Sequence, residues 1–322
     1  MSRIVNREFV LGESEKEHLV RLMRRYEAFC GVRVVTYCVM SNHFHLLVEV
    51  PQRPAEAELP SDAQLVSLVR KAQDSYGSAT LKQDLERLRS EGRHAAAEQL
   101  RERFFCRMWD VSWFLRLVKQ RFTQWYNKRR GRTGTLWEDR FKSVLVEGAG
   151  AALGAMALYI DLNPVRAGMV TEPQEYRWCG YAEATAGSKV AREGLSVVVH
   201  ALRGREVLPQ RIVAEYRMEL YGRAEASGLT EEGAPVRLGV SPERVKEVLE
   251  KKGRLNGWES LRCKVRYFSD GVVIGSREFV EEYFRENRKR FGRKRQDGAR
   301  RMRYVNFPGL FTVRDLQKVP IG

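Results

Sequence analysis

Val34-Val35-Thr36-Tyr37-Cys38-Val39-Met40-Ser41-Asn42-His43-Phe44-His45-Leu46-Leu47-Val48-Glu49-Val50 reads as buried β-strand, except that two histidines stand in it one apolar residue apart. Side chains alternate faces along a strand, so His43 and His45 leave on one side and Phe44 on the other. Two imidazoles directed into one small volume make half of a divalent-metal site. The competing reading is a pair of histidines capping a core strand. The whole segment from Val32 to Glu49 is expected to form a hairpin or two neighbouring strands, with Pro51 stopping the sheet.

Working outward, Ser2 to Leu11 reads as a first strand. A helix is expected from Glu13 to Cys30, where Leu19, Leu22, Met23, Tyr26 and Phe29 recur at three-and-four spacing. Residues 52–105 turn polar and rich in Ala, Glu and Arg, which predicts an inserted set of two or three solvated helices. A further amphipathic helix runs from Val111 to Arg129, and a strand is expected from Phe141. The Ala- and Leu-rich stretch Gly150 to Asn163 predicts a helix that Pro164 ends, because the residue before proline is disfavoured in the α conformation. Ala-Gly-Ser composition near Gly187 places a boundary there. The chain then divides into a first domain, 1–187, and a basic, mainly helical second domain, 188–322, that is a candidate for DNA binding. Short helices are expected in the second at about Ser196 to His200, Leu208 to Tyr221, Ser241 to Lys251 and Ser276 to Arg290.

Charge narrows the class of partner. The 322 residues carry 57 Lys and Arg against 41 Asp and Glu, a net +16, which calls for a polyanion. No apolar run reaches membrane-spanning length, and neither a signal sequence nor a lipidation motif is present, so nucleic acid is preferred over a membrane surface. The five cysteines, Cys30, Cys38, Cys106, Cys179 and Cys263, are scattered without a CxxC pair. They read as buried small hydrophobes of a reducing, cytoplasmic protein. The densely basic run from Arg285 to Arg303 reads either as a solvated tail or as an arm that contacts phosphate.

A catalytic metal site needs a further ligand and a nucleophile. Tyr159 and Asn163 stand four apart and share a helix face, so an amide oxygen and a phenol can be presented together. Tyrosine is a weak nucleophile in water and needs electrophilic help at its target, which a metal held by neutral imidazoles supplies to a phosphodiester. Tyr126, beside a basic loop on its own amphipathic helix, competes for the role. Arg129, Arg130, Arg132, Arg140, Lys142 and Arg166 are candidate phosphate contacts, with solvated surface charge as the alternative.

Four ordered motifs resemble the REP-associated tyrosine transposases of bacteria, relatives of the single-tyrosine insertion-sequence transposases that carry a His-hydrophobe-His (HUH) motif. They are Tyr37-Cys38-Val39-Met40-Ser41-Asn42-His43-Phe44-His45-Leu46-Leu47-Val48, then Gly131-Arg132-Thr133-Gly134-Thr135-Leu136-Trp137-Glu138-Asp139-Arg140-Phe141-Lys142-Ser143, then Tyr159-Ile160-Asp161-Leu162-Asn163-Pro164-Val165-Arg166-Ala167-Gly168, and finally Tyr176-Arg177-Trp178-Cys179-Gly180-Tyr181. The resemblance implies an α+β fold with a ferredoxin-like antiparallel sheet flanked by helices, the HUH palm. It implies Mg²⁺ or Mn²⁺ on His43, His45 and Asn163, and Tyr159 forming a 5′-phosphotyrosine on single-stranded hairpin DNA. Such a protein acts in DNA transposition, as a monomer or homodimer. Two other readings are a replication initiator or relaxase-type nickase, and a domesticated regulator that binds hairpins without cutting. Departures from the pattern are a start almost directly at the first strand, the long polar stretch after Pro51, and a C-terminal part outside the motifs.

Overall fold

The computed structural model describes residues 1–72, 75–221, 255–256, 266–302, 305–306 and 309–314. It mixes helix and sheet. In chain order the elements are β1 (Ser2–Arg3), α1 (Glu13–Cys30), β2 (Arg33–Val39), β3 (His43–Glu49), α2 (Asp62–Ala72), α3 (Ser75–Ser90), α4 (His94–Phe105), α5 (Val111–Arg130), β4 (Leu145–Val146), α6 (Gly150–Asp161), α7 (Asn163–Arg166), α8 (Gly180–Thr185), α9 (Lys189–Arg203), α10 (Ile212–Tyr221), β5 (Leu255–Asn256), α11 (Tyr267–Asp270), β6 (Val273–Gly275), α12 (Arg277–Glu286), β7 (Arg300–Arg301), β8 (Val305–Asn306) and β9 (Phe311–Thr312). The expected helix Ser241 to Lys251 and Cys263 lie outside the described residues.

Contacts group the chain into two units: Met1–Arg3, Val35–Leu47 and Asp139–Gly322 form one, Ile4–Val34 and Val48–Glu138 the other. In the second unit, α1 packs against α5, burying Leu19, Leu22, Met23, Tyr26 and Phe29 of α1 and Phe114, Leu115, Val118 and Phe122 of α5. Asp110 caps α5, its carboxylate accepting from the backbone N–H of Ser112 and Trp113 at 2.6 and 3.0 Å, and Gly131 ends the helix in the left-handed conformation. The polar insertion is the helical run α2 to α4, laced by surface ion pairs of Arg89 and Arg101 with Asp62 and Glu98. His18 stacks on Trp125 at 4.0 Å. Burial, then Arg21 and Arg25, lower its pKa to about 4, so it is a neutral packing residue at pH 7.

The first unit holds the histidine strand. A three-stranded sheet has the order β1-β3-β2. β1 pairs antiparallel with β3, with Arg3 opposite His43 and Ser2 opposite Phe44. The connection from β2 to β3 is only Met40 to Asn42, closed by the Met40 N–H donating to the His43 carbonyl at 2.8 Å; so short a link joins antiparallel strands. The expected first strand is cut to two residues because Asn6 and Arg7 take positive φ, which breaks extended backbone.

α6 is apolar all round, and Ala152 through Asp161 are buried, as a helix sunk in a core must be. Its core continues from Val35, Cys38 and Leu47 through Tyr176 and Tyr181 to Val198, Val199, Tyr216 and Phe268. Gly187, the expected boundary, lies in the exposed turn between α8 and α9, both of which contribute buried residues to this core. The C-terminal residues add strands that the sequence did not suggest: β6, β7 and β9 join β4 in a sheet of order β4-β6-β9-β7, with β4 and β6 parallel.

One carboxyl ties these elements together. Asp161 is fully buried, and it accepts from the Tyr216 hydroxyl at 2.6 Å and from the Tyr181 N–H at 3.3 Å, while the Thr36 hydroxyl lies 2.9 and 3.0 Å from its two oxygens. Burial raises its pKa from 3.8 to about 7, against the lowering effect of Tyr216, Thr36 and the Tyr181 amide. No cation pairs with it among the described residues.

The unfolded carboxyl releases its proton near pH 4 and the folded one near pH 7, so within that window the folded state holds the extra proton. The stabilisation is complete below pH 4 and is lost as pH rises, at about 1.4 kcal/mol per pH unit. Asp161→Asn keeps a neutral hydrogen-bonding group of the same size. Its melting temperature is expected to exceed the wild type's above pH 7 and to lose most of the wild type's fall between pH 4 and 7. Parallel pH profiles for the two proteins would contradict this account of Asp161.

Candidate functional site

β3 delivers both imidazoles to one place. The His43 and His45 rings lie 5.1 Å apart, edge to face, while Phe44, on the other side of the strand, is 2% exposed. His45 in turn meets the ring of Tyr159 edge-on at 6.4 Å. Residues separated by more than a hundred positions, from two different motifs, are therefore neighbours at the C-terminal end of α6.

That end of α6 is shaped by the motif itself. Pro164 lacks an N–H and breaks the helix, and the last carbonyls are taken up by side chains. Asn163 Nδ2 donates to the carbonyls of Tyr159 and Ile160 at 3.3 and 3.0 Å. Arg166 donates to the Tyr159 carbonyl at 2.6 Å, and its guanidinium lies over the Tyr159 ring, 3.9 Å from the centroid. Phe268 of α11 stacks on the same ring at 4.7 Å. Tyr159 is thereby 2% exposed, with its ring orientation set from His45, Arg166 and Phe268.

The donor chemistry fits a divalent cation. Burial, then the charges of His43, the amino terminus, Arg166 and Arg3, hold His45 far below the usual imidazole pKa, so it is neutral, the form that ligates. His43 is half-buried, and its Nδ1 lies 2.7 Å from Asn42 Oδ1. With Nδ1–H donating to that amide oxygen, Nε2 keeps its lone pair for a metal, as ligating histidines generally arrange. Asn163 spends its amide N–H groups on backbone, which leaves Oδ1 as the group it can offer. Among the described residues no three His, Cys, Asp or Glu side chains come together as a metal-binding group.

The remaining sequence candidates have diverse surroundings. Tyr126, in the other unit, is 7% exposed; it stacks on Phe122 at 6.2 Å, and the Arg130 guanidinium lies 5.9 Å from its centroid. Arg130 pairs with Glu15 at 2.9 Å, and Arg129 lies over Trp125 at 5.7 Å. Arg132 donates to the Thr135 carbonyl at 3.5 Å. In the first unit Lys142 pairs with Asp270 at 2.9 Å, whereas Arg140 is exposed and forms no ion pair among the described residues. Two residues of the site escaped the sequence reading. Asn42 had a signal, its place beside His43; Phe268 had none, being far along the chain and in a single helical turn.

Comparison of the chain with family models, with curated proteins and with solved structures finds no match.

Mn²⁺ titrated into the protein by calorimetry is expected to bind once, and more tightly than Mg²⁺, since nitrogen donors suit the softer ion. His43→Ala should abolish the heat, and Asn42→Ala should weaken binding by about 10- to 100-fold. Undiminished Mn²⁺ binding by His43→Ala would remove this strand from metal binding.

Proposed function

We propose that this protein is a metal-dependent endonuclease and strand transferase acting on single-stranded hairpin DNA, its histidine sheet being the ferredoxin-like palm of the HUH enzymes. The observation that carries the reading is the approach of the Tyr159 ring to His45, from a motif distant in sequence, with Asn163 one turn on. Net charge supports a polyanionic substrate, and no helix among the described residues is long and apolar enough to cross a membrane.

His43, His45 and Asn163 would hold the cation, Mg²⁺ or Mn²⁺, which would polarise the scissile phosphate. The chain's own residues do the rest. The Tyr159 oxygen attacks phosphorus in line, the bond from phosphorus to the 3′ oxygen breaks, and a 5′-phosphotyrosine forms. The phenol proton passes to solvent, and the leaving 3′ oxygen takes one up to become a free hydroxyl. The Arg166 guanidinium above the ring stabilises negative charge as it develops on the phenol. Phe268 stacks on the ring and holds its orientation. Because the phosphotyrosine conserves the energy of the cleaved bond, a 3′ hydroxyl can attack it and rejoin strands.

Incubation with a pool of hairpin oligonucleotides and Mn²⁺ is expected to give a protein–DNA adduct stable on a denaturing gel. Chelator should abolish it, and Tyr159→Phe should lower it below detection. If the wild type forms no adduct while still retaining hairpins, the non-cutting regulator is the better reading. Adducts that survive in Tyr159→Phe and vanish in Tyr126→Phe would transfer the nucleophile to α5.

A further inference from the structure

The basic run after α12 is a folded loop, and its arginines divide into two kinds. Between Asn287 and Arg301 there are eight Lys or Arg and one acidic residue, Asp297. Arg288 points inward: its guanidinium donates to the carbonyls of Phe291, Gly292, Arg293 and Arg295 at 2.8 to 3.2 Å. Arg295 does the same, donating to the carbonyls of Asp297 and Gly298 at 2.8 and 2.7 Å and to that of Val313. Arg295 also packs over Phe284 and Phe291 at 5.2 and 5.0 Å.

The loop is anchored beneath as well. Glu281 of α12 accepts from the backbone N–H of Gly298 and Ala299 at 2.9 and 2.8 Å. A small core of Val273, Val280, Phe284 and Val313 underlies it. A Cβ on Gly298 would lie 2.3 Å from that of Phe284, so the chain approaches the helix as closely as glycine allows.

With carbonyls drawn in toward two guanidiniums, the outer surface is left to Lys289, Arg290, Arg293, Lys294 and Arg301. All five are exposed, and none forms an ion pair among the described residues. Asp297, the one acid, is occupied by Arg300 at 2.7 Å. Exposed cations that form no ion pair among the described residues, on a loop whose carbonyls are drawn inward, suit a chain of phosphates. We infer that the loop of residues 288–301 is a binding surface for the phosphodiester backbone of a nucleic-acid strand, independent of sequence and separate from the histidine site. The kind of partner rests on the proposed function; the surface itself does not depend on cleavage.

The test is fluorescence anisotropy of a labelled oligo-dT strand with the full-length protein, repeated from about 50 to 200 mM salt. The variant carries Lys289→Gln, Arg290→Gln, Arg293→Gln and Lys294→Gln, all exposed positions, so its melting temperature should match the wild type's. The slope of log affinity against log salt is expected to fall by about 0.7 for each phosphate that the variant no longer neutralises, and affinity at low salt by tenfold or more. Unchanged slope and affinity would overturn the inference. So would unchanged oligo-dT binding with lost binding to vesicles of anionic phospholipid, which would make the loop a membrane surface. Adduct formation by the wild type is scored separately: a lowered slope without any adduct upholds the loop and defeats only the cleavage reading.

Discussion

The arrangement of the site depends on the burial of one carboxyl. Asp161 sits at the end of α6 and is grasped from β2 by Thr36, from α8 by the Tyr181 amide and from α10 by Tyr216. A buried polar group that keeps its partners specifies one arrangement of the elements supplying them, and this one sets the rotation and depth of α6. Residues two apart on a helix point to nearly opposite sides. Anchoring Asp161 on one side therefore turns Tyr159 to the other, toward His45. Gly180 reinforces the constraint, because a Cβ there would meet Thr36 Oγ1 at 2.2 Å. Burial raises the carboxyl's pKa to about 7, so the anchor costs stability near neutral pH, an expense consistent with a positional role.

The motif residues hold the backbone as well as surrounding the candidate site. Asn163 and Arg166 close the last turn of α6 while standing beside Tyr159, and Asn42 both ends the β2–β3 connection and meets His43 Nδ1. The chain's cations likewise separate by what their heads touch. Arg166, Arg288 and Arg295 are spent on backbone carbonyls, and Lys142 and Arg130 on carboxylates. Arg140 and, in the 288–301 loop, Lys289, Arg290, Arg293, Lys294 and Arg301 are exposed. The net positive charge is thus available to a polyanion only at particular surfaces.

Long periodic elements were legible in the sequence, and for a physical reason: α1, α5 and α6 bury wide apolar faces, and Pro164 and Gly131 mark ends that backbone chemistry imposes. The histidine strand was legible through its two-residue period. The fate of Ser2 to Leu11 was not, since two residues at positive φ override a strand-like composition. The sheet β4-β6-β9-β7 was hidden because strands of two or three residues leave no period to read. Phe268 was hidden because its stacking on Tyr159 is set by tertiary packing alone, and the inward turn of Arg288 and Arg295 because charge on a basic run looks the same whether it faces water or carbonyls.

The most direct test is to incubate the protein with hairpin DNA and Mn²⁺, digest any protein–DNA adduct with trypsin and nuclease, and locate the nucleotide by mass spectrometry. The account predicts a nucleotide on the phenol oxygen of Tyr159, joined through its 5′ phosphate. A nucleotide on Tyr126 or any other residue, or a 3′ linkage, would contradict it.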